Sequence, residues 1–94
     1  MHELKEWPQF YSQLVGGMRK NEVRHNDRGF EIGDVLQISE YVPEKWFYTG
    51  RTCQCVVTSV TPLQSSDPSH VRYVVMDVAN VIQQANVDGH FEAR

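Results

Sequence analysis

The residues with the most chemical potential lie in one twelve-residue stretch, from Gly17 to Arg28. Arg19, Lys20, Arg24 and Arg28 supply four cations there, set against Glu22 and Asp27. If residues 20–26 form a strand, alternation places Lys20, Glu22, Arg24 and Asn26 on one face and Asn21, Val23 and His25 on the other. A glutamate between two cations on a shared face fixes each side chain through charge-assisted hydrogen bonds. In a cleft, Arg24 could grip a phosphate or carboxylate with its planar fork, and Glu22 could accept from a base amino group. On an open surface the same residues would be a solvated strand face laced by ion pairs worth under about 1 kcal/mol each.

The rest of the charge narrows the choice of ligand. The chain is net −3, yet residues 19–28 are net +2, so the remaining positions carry −5. A basic spot on an acidic body suits one compact anionic ligand and argues against a coat on duplex DNA, which needs many phosphate contacts. A second group, Tyr41, Trp46, Phe47 and Tyr48, gathers aromatic rings around one loop. There Trp46 and Tyr48 could stack on unpaired bases, or Trp46 or Phe47 could plug one end of a barrel. Cys53 and Cys55, two apart on a strand, read as small semi-buried thiols, since a bridge between them would be severely strained. His2, His25, His70 and His90 are scattered without ligand spacing, so neither a metal nor a cofactor is expected.

These residues need a frame, and the pattern supplies a small one. Ninety-four residues suit one domain spanning 1–94. No apolar run approaches the ~20 residues of a membrane span, and the start lacks the basic-then-apolar pattern of a secretory signal. The expected setting is therefore cytoplasmic. A short strand is predicted at Leu4–Trp7, then a helix opening at Pro8, with Phe10, Tyr11, Leu14 and Val15 on one stripe and Gly16-Gly17 as its stop. Lys20–His25 reads as a strand ending in the turn formers Asn26-Asp27-Arg28-Gly29, and Asn26-Asp27-Arg28 suggests an Asx-type turn clamped by Arg28.

Gly33-Asp34 marks a further turn, with Asp34 bonding local backbone. Val35–Tyr41 and Thr52–Val60 read as strands, with Pro43–Gly50 a connecting loop or irregular hairpin. Residues 61–69 read as a polar loop. Val71–Val78, apolar on both faces, reads as a central strand, and from Val81 the periodicity fades into a Gln/Asn-rich tail with weak order expected past about residue 85. The sum is a mostly β (α+β) chain, a small, partly open β-barrel of about five to six strands with one N-terminal helix.

The stretch from Gly17 through Arg19, Glu22 and Arg24 resembles the Gly-x-Lys-x-x-Glu-x-Arg signature of the ASCH domain, a member of the PUA-like superfamily. The continuation Asn26-Asp27-Arg28-x-Phe30-x-x-Gly33-Asp34, then Glu40-Tyr41 and Tyr48-Thr49-Gly50-Arg51, is similar to a short bacterial and phage subgroup of unknown function. The resemblance covers roughly residues 2–78 and implies a PUA-like β-barrel with a cleft lined by the signature residues, binding RNA or a nucleotide. It carries Arg19 onto the position that is usually lysine, and Glu22 and Arg24 onto the matching glutamate and arginine.

One bacterial branch of the superfamily hydrolyses the acetyl amide of N4-acetylcytidine, so an amidohydrolase acting on an acylated cytidine is the alternative. That branch resembles a site built on the signature lysine and a threonine three residues on, where this chain has Arg19 and Glu22. Arginine stays protonated and glutamate offers no hydroxyl nucleophile, so binding is preferred and no catalytic residue is assigned. A phage or bacterial protein-interaction module is the third reading. The expected ligand-binding residues are Arg19, Lys20, Glu22, Arg24 and Arg28, with Trp46 and Tyr48 as base-stacking candidates.

Overall fold

The computed structural model describes residues 1–63 and 73–84. Their elements are β1 (His2–Glu6), α1 (Pro8–Val15), β2 (Asn21–His25), β3 (Val35–Val42), β4 (Phe47–Pro62) and β5 (Tyr73–Gln84). The five strands form one sheet in the order β1-β3-β4-β5-β2, with β1 parallel to β3 and every other pair antiparallel. Consecutive strands β1 and β2 thus occupy opposite edges. The sheet curls into a half-barrel, and α1 packs across its concave side against β3 and β5. No described helix is long and apolar enough to cross a membrane.

Local chemistry explains the elements that position the site. Pro8 opens α1, where its missing N–H costs nothing. The helix ends in a Schellman turn: Met18 N–H donates to Gln13 O and Gly17 N–H to Leu14 O, with Gly17 at φ 79°. That reversal delivers Arg19 and β2 to the far edge of the sheet. Tyr11 and Leu14 face the core, joined there by Leu36 and Ile38 of β3, Cys53, Cys55 and Val57 of β4, and Val74, Met76 and Val78 of β5. Both thiols are fully buried rather than semi-buried, and burial pushes Cys53 up to about 11 and Cys55 up to about 12. β5 lies between β4 and β2, the central place its two apolar faces suggest.

Bulges account for several departures from the sequence expectations. β5 does not fade at Val81 but runs to Gln84. Its register against β4 slips between Val56↔Ala79 and Gln54↔Ile82, with Asn80 at φ 55°. A bulge advances the chain by one residue and inverts the alternation beyond it, which reads as lost periodicity. Asparagine tolerates the left-handed region better than most side chains. After the slip, Gln84 joins an amide ladder, accepting from Gln37 and Thr52, while Gln54 donates to Gln37.

The connection at 43–50 is tighter than expected. Only Pro43–Trp46 turn, and β4 begins at Phe47. Trp46, at φ 57° on the hairpin tip, is 82% exposed and plugs nothing, and Phe47 is exposed as well. The first strand starts at His2 and stops at Glu6, before Trp7. β4 takes in Thr61 and Pro62, and Leu63 N–H donates to Tyr73 O, while residues 64–69 of the expected loop, Val71, His70, His90 and the tail past 85 lie outside the described residues.

The Tyr11 hydroxyl is buried, and among the described residues the group it meets is the Cys53 thiol, a weak hydrogen-bonding partner. An unmade buried bond costs more than an absent polar group. Tyr11→Phe is therefore expected to leave stability unchanged or raise it by up to about 1 kcal/mol in urea denaturation. A loss above about 1 kcal/mol would mean that the hydroxyl is satisfied after all.

Candidate functional site: the seam between the sheet edges

The inward face of β2 carries Glu22 and Arg24, as alternation predicts, with Asn21, Val23 and His25 outward. β1 presents Leu4 and Glu6 to the same interior. Because the sheet curls, these edges approach one another, and four charged side chains meet. Arg24 is the hub. Its Nε and Nη2 donate to Glu22 Oε1 at 3.1 and 2.9 Å, and Nη2 also reaches Glu6 Oε2 at 3.3 Å and the Lys5 carbonyl at 3.0 Å. Arg19 crosses the Phe10 ring at 5.0 Å and sits 3.6 Å from Glu6 Oε2 and 3.8 Å from Glu22 Oε2.

Glu22 is 0% exposed, and its carboxyl is pushed up to about 7. Burial is the main cause and the neighbouring Glu6 carboxylate the second, while Arg24 pulls the other way. Among the described residues, Glu22 Oε2 and Arg19 Nη1 are buried without hydrogen-bond partners. A proton on Glu22 gives its carboxyl a donor and removes a charge that burial and the Glu6 carboxylate both disfavour.

β1 and β2 form no ladder with each other among the described residues, and side chains span the gap instead. Arg24 caps the Lys5 carbonyl, and Arg28 Nη1 donates to the Glu3 carbonyl at 2.7 Å. Beside this seam opens a cleft of about 600 Å³ bordered by Glu3, Leu4, Lys5, Arg24, Arg28, Ser39 and Tyr48. Tyr48 is 57% exposed and leans on Tyr41 at 4.8 Å between centroids, and the Lys5 ammonium lies 4.5 Å from the centre of the Tyr41 ring. A smaller recess of about 150 Å³ adjoins, bordered by His25, Asp27 and Phe30 together with Leu4, Arg24 and Arg28.

The expected site residues therefore divide into three groups. Arg24, Arg28 and Tyr48 border the cleft. Arg19 and Glu22 belong to the buried charge cluster. Lys20 stands apart: its carbonyl accepts from Val78 N–H, and it borders a separate recess of about 350 Å³ between the helix end and β5. Trp46 projects from the hairpin tip and does not border the cleft. Glu6, Lys5, Glu3 and Ser39 were not anticipated. Glu6 carried a signal, since it falls two residues after Leu4 on a strand and so shares its inward face.

Other motif residues close the turns and the β3–β4 hairpin. Asn26 Oδ1 accepts from Phe30 N–H, closing the turn after β2, while Arg28 reaches across the seam and touches Asp27 only at 3.8 Å. Asp34 accepts from Glu31 N–H and pairs with His2, and the Glu31 N–H is the main reason its carboxyl lies below the usual range. Glu40 is buried and held bidentately by Arg51 at 2.8 Å for both bonds, with Thr49 Oγ1 donating to it as well. Arg51 keeps that carboxyl below the usual glutamate range. Glu40-Tyr41 and Tyr48–Arg51 are distant in sequence but face each other across the β3–β4 hairpin, where Tyr41 pairs with Tyr48.

A family described as "Domain of unknown function (DUF3850)" matches residues 1–78, the span that carries the seam, the charge cluster and the β3–β4 hairpin. A curated relative, an uncharacterized 12.9 kDa protein in the GpA 3′ region of Escherichia phage P2, is 33% identical over 63 residues, which cover 67% of this chain. The aligned part spans 56% of that relative's length. With most of its length matched by the family, this chain belongs to DUF3850.

Proposed function

We propose that the protein binds a nucleotide, a modified nucleoside or a short single-stranded RNA in the cleft beside the β1–β2 seam. One observation carries this reading: an open cleft of about 600 Å³ in which Arg24, Arg28 and Lys5 stand beside the exposed ring of Tyr48. Cations next to an accessible aromatic face suit a phosphate joined to a base. The volume lies within the ~300–1,000 Å³ usual for small-ligand sites. The resemblance to ASCH domains and the PUA-like superfamily points the same way, as does the net positive charge of residues 19–28 in an acidic chain. Hydrolysis is the weaker reading, because Arg24 lies between Glu22 and the cleft and Arg19 cannot act as a base near neutral pH.

Calorimetric titration with a panel of nucleosides, nucleotides and short single-stranded RNAs tests the proposal. At least one member should bind, and Tyr48→Ala should weaken it by about fivefold to a hundredfold, the range of one base–aromatic stack. Tyr48 is exposed, so the melting temperature of this variant should stay close to that of the parent. Silence across the panel, or full affinity after both Tyr48→Ala and Arg28→Ala, would remove the cleft from consideration.

A further inference from the structure

The cations at the seam are not equivalent. Arg19 and Arg24 are both answered by Glu6 and Glu22, and Arg24 spends its hydrogen bonds on Glu22, Glu6 and the Lys5 carbonyl. Two cations at the cleft are left less committed. Arg28 has a carboxylate only at 3.8 Å, in a half-exposed contact with Asp27, and its Nη1 donates to a neutral carbonyl. Lys5 rests over the Tyr41 ring and has no carboxylate partner among the described residues. Opposing them, Glu3 borders the same cleft. Among the cleft side chains outside the charge cluster, Lys5 and Arg28 against Glu3 leave roughly one positive charge, enough for a single phosphate.

Among the described residues, the surroundings do not continue the site. The adjoining recess adds Asp27, His25 and Phe30 but no cation beyond Arg24 and Arg28. Lys20 borders the recess at the helix end, which shares no residue with the cleft. A groove that tracks a nucleic-acid backbone needs repeated cations and repeated stacking rings. Among the described residues that border the cleft, two cations outside the charge cluster and one exposed tyrosine fill the inventory.

We infer that the cleft accepts one nucleotide unit with a single phosphate, held between Arg28 and Lys5 with its base on Tyr48, and does not track a run of RNA. This rests on the nucleotide reading above and fixes its valency. Strand alternation places Glu3 and Lys5 on the same outward face of β1, so the carboxylate beside the cations would disfavour a second phosphate and leaves an acceptor for a ribose hydroxyl or base amino group.

Calorimetry at several salt concentrations separates the outcomes, using adenosine and cytidine, their 5′-monophosphates and a single-stranded pentanucleotide of each. The monophosphate of the preferred base should bind about tenfold or more tightly than its nucleoside. Its affinity should fall as salt rises, because the added contact is between charges. The pentanucleotide should match the monophosphate within about threefold and be no more sensitive to salt. Arg28→Gln should weaken the monophosphate by about tenfold, most of its advantage over the nucleoside, and an unchanged monophosphate affinity would overturn the phosphate subsite. Affinity that climbs with chain length, with a steeper salt dependence, overturns the single-unit site in favour of an extended groove. Equal affinity for nucleoside and monophosphate overturns the phosphate subsite yet keeps the nucleoside cleft, whereas no binding by any probe overturns both.

Discussion

Arg24→Ala is expected to destabilise the protein by about 3–5 kcal/mol, the usual consequence of stripping one partner from a buried charge cluster. The magnitude follows from what the guanidinium holds. Without it the fully buried Glu22 loses both donors to Oε1, Glu6 loses its closest cation, and the Lys5 carbonyl loses its cap across the seam. Arg19, at 3.6 and 3.8 Å, is too distant to replace those bonds. Small domains have about 5–15 kcal/mol of stability in all, so the variant should populate unfolded states on mild heating.

The loss should depend on pH. Glu22 can escape part of the penalty by taking a proton, and its carboxyl already titrates near 7. Urea midpoints at pH 8 and pH 5.5 should therefore show the larger deficit at pH 8. Arg28→Ala, which removes an exposed bond to a neutral carbonyl, serves as the comparison and should cost about 1 kcal/mol or less. An Arg24→Ala deficit below about 1 kcal/mol at pH 8 would show that the cluster does not hold the seam.

The sequence was most readable where one local rule decides the outcome. Pro8 and the Gly16-Gly17 pair bound α1 because each acts on its own backbone, and alternation set the two faces of β2 and β3 because both strands are regular. The charge cluster was half legible. Glu22 and Arg24 share a strand face, but their partner Glu6 belongs to the opposite edge of the sheet, and only the curl of five strands unites them. Lys20 was misplaced for a related reason. β2 starts at Asn21, so Lys20 precedes the regular alternation and its backbone bonds to Val78. The end of β5 was hidden because a bulge at Asn80 inverts the pattern that defines a strand. Trp46 was ambiguous from its type alone, since large rings serve equally as plugs and as exposed contacts, and only the turn geometry chooses.

The same cluster predicts an unusual acid response. A carboxyl whose folded value lies above its unfolded value binds more protons in the native state between the two. Stability must then decrease as pH rises through that window. For Glu22 the window runs from about 4.5, its ordinary value, to about 7. One such proton changes stability by about 1.4 kcal/mol per pH unit at the steepest. The urea midpoint is expected to drop from pH 5 to pH 7 and to level off above it. Glu40 and Asp34 act with the opposite sign, since both are held below their ordinary values, but their contributions are present above about 4 and are lost only in stronger acid. The two effects therefore occupy different pH ranges, and maximum stability should fall near pH 5. Glu22→Gln keeps the shape and removes the titration. In that variant the decline between pH 5 and pH 7 should flatten while the acid limb below pH 4 persists. A parent protein that gains stability from pH 5 to pH 7, or a Glu22→Gln variant that keeps the decline, would show that burial does not hold the Glu22 carboxyl above its ordinary range.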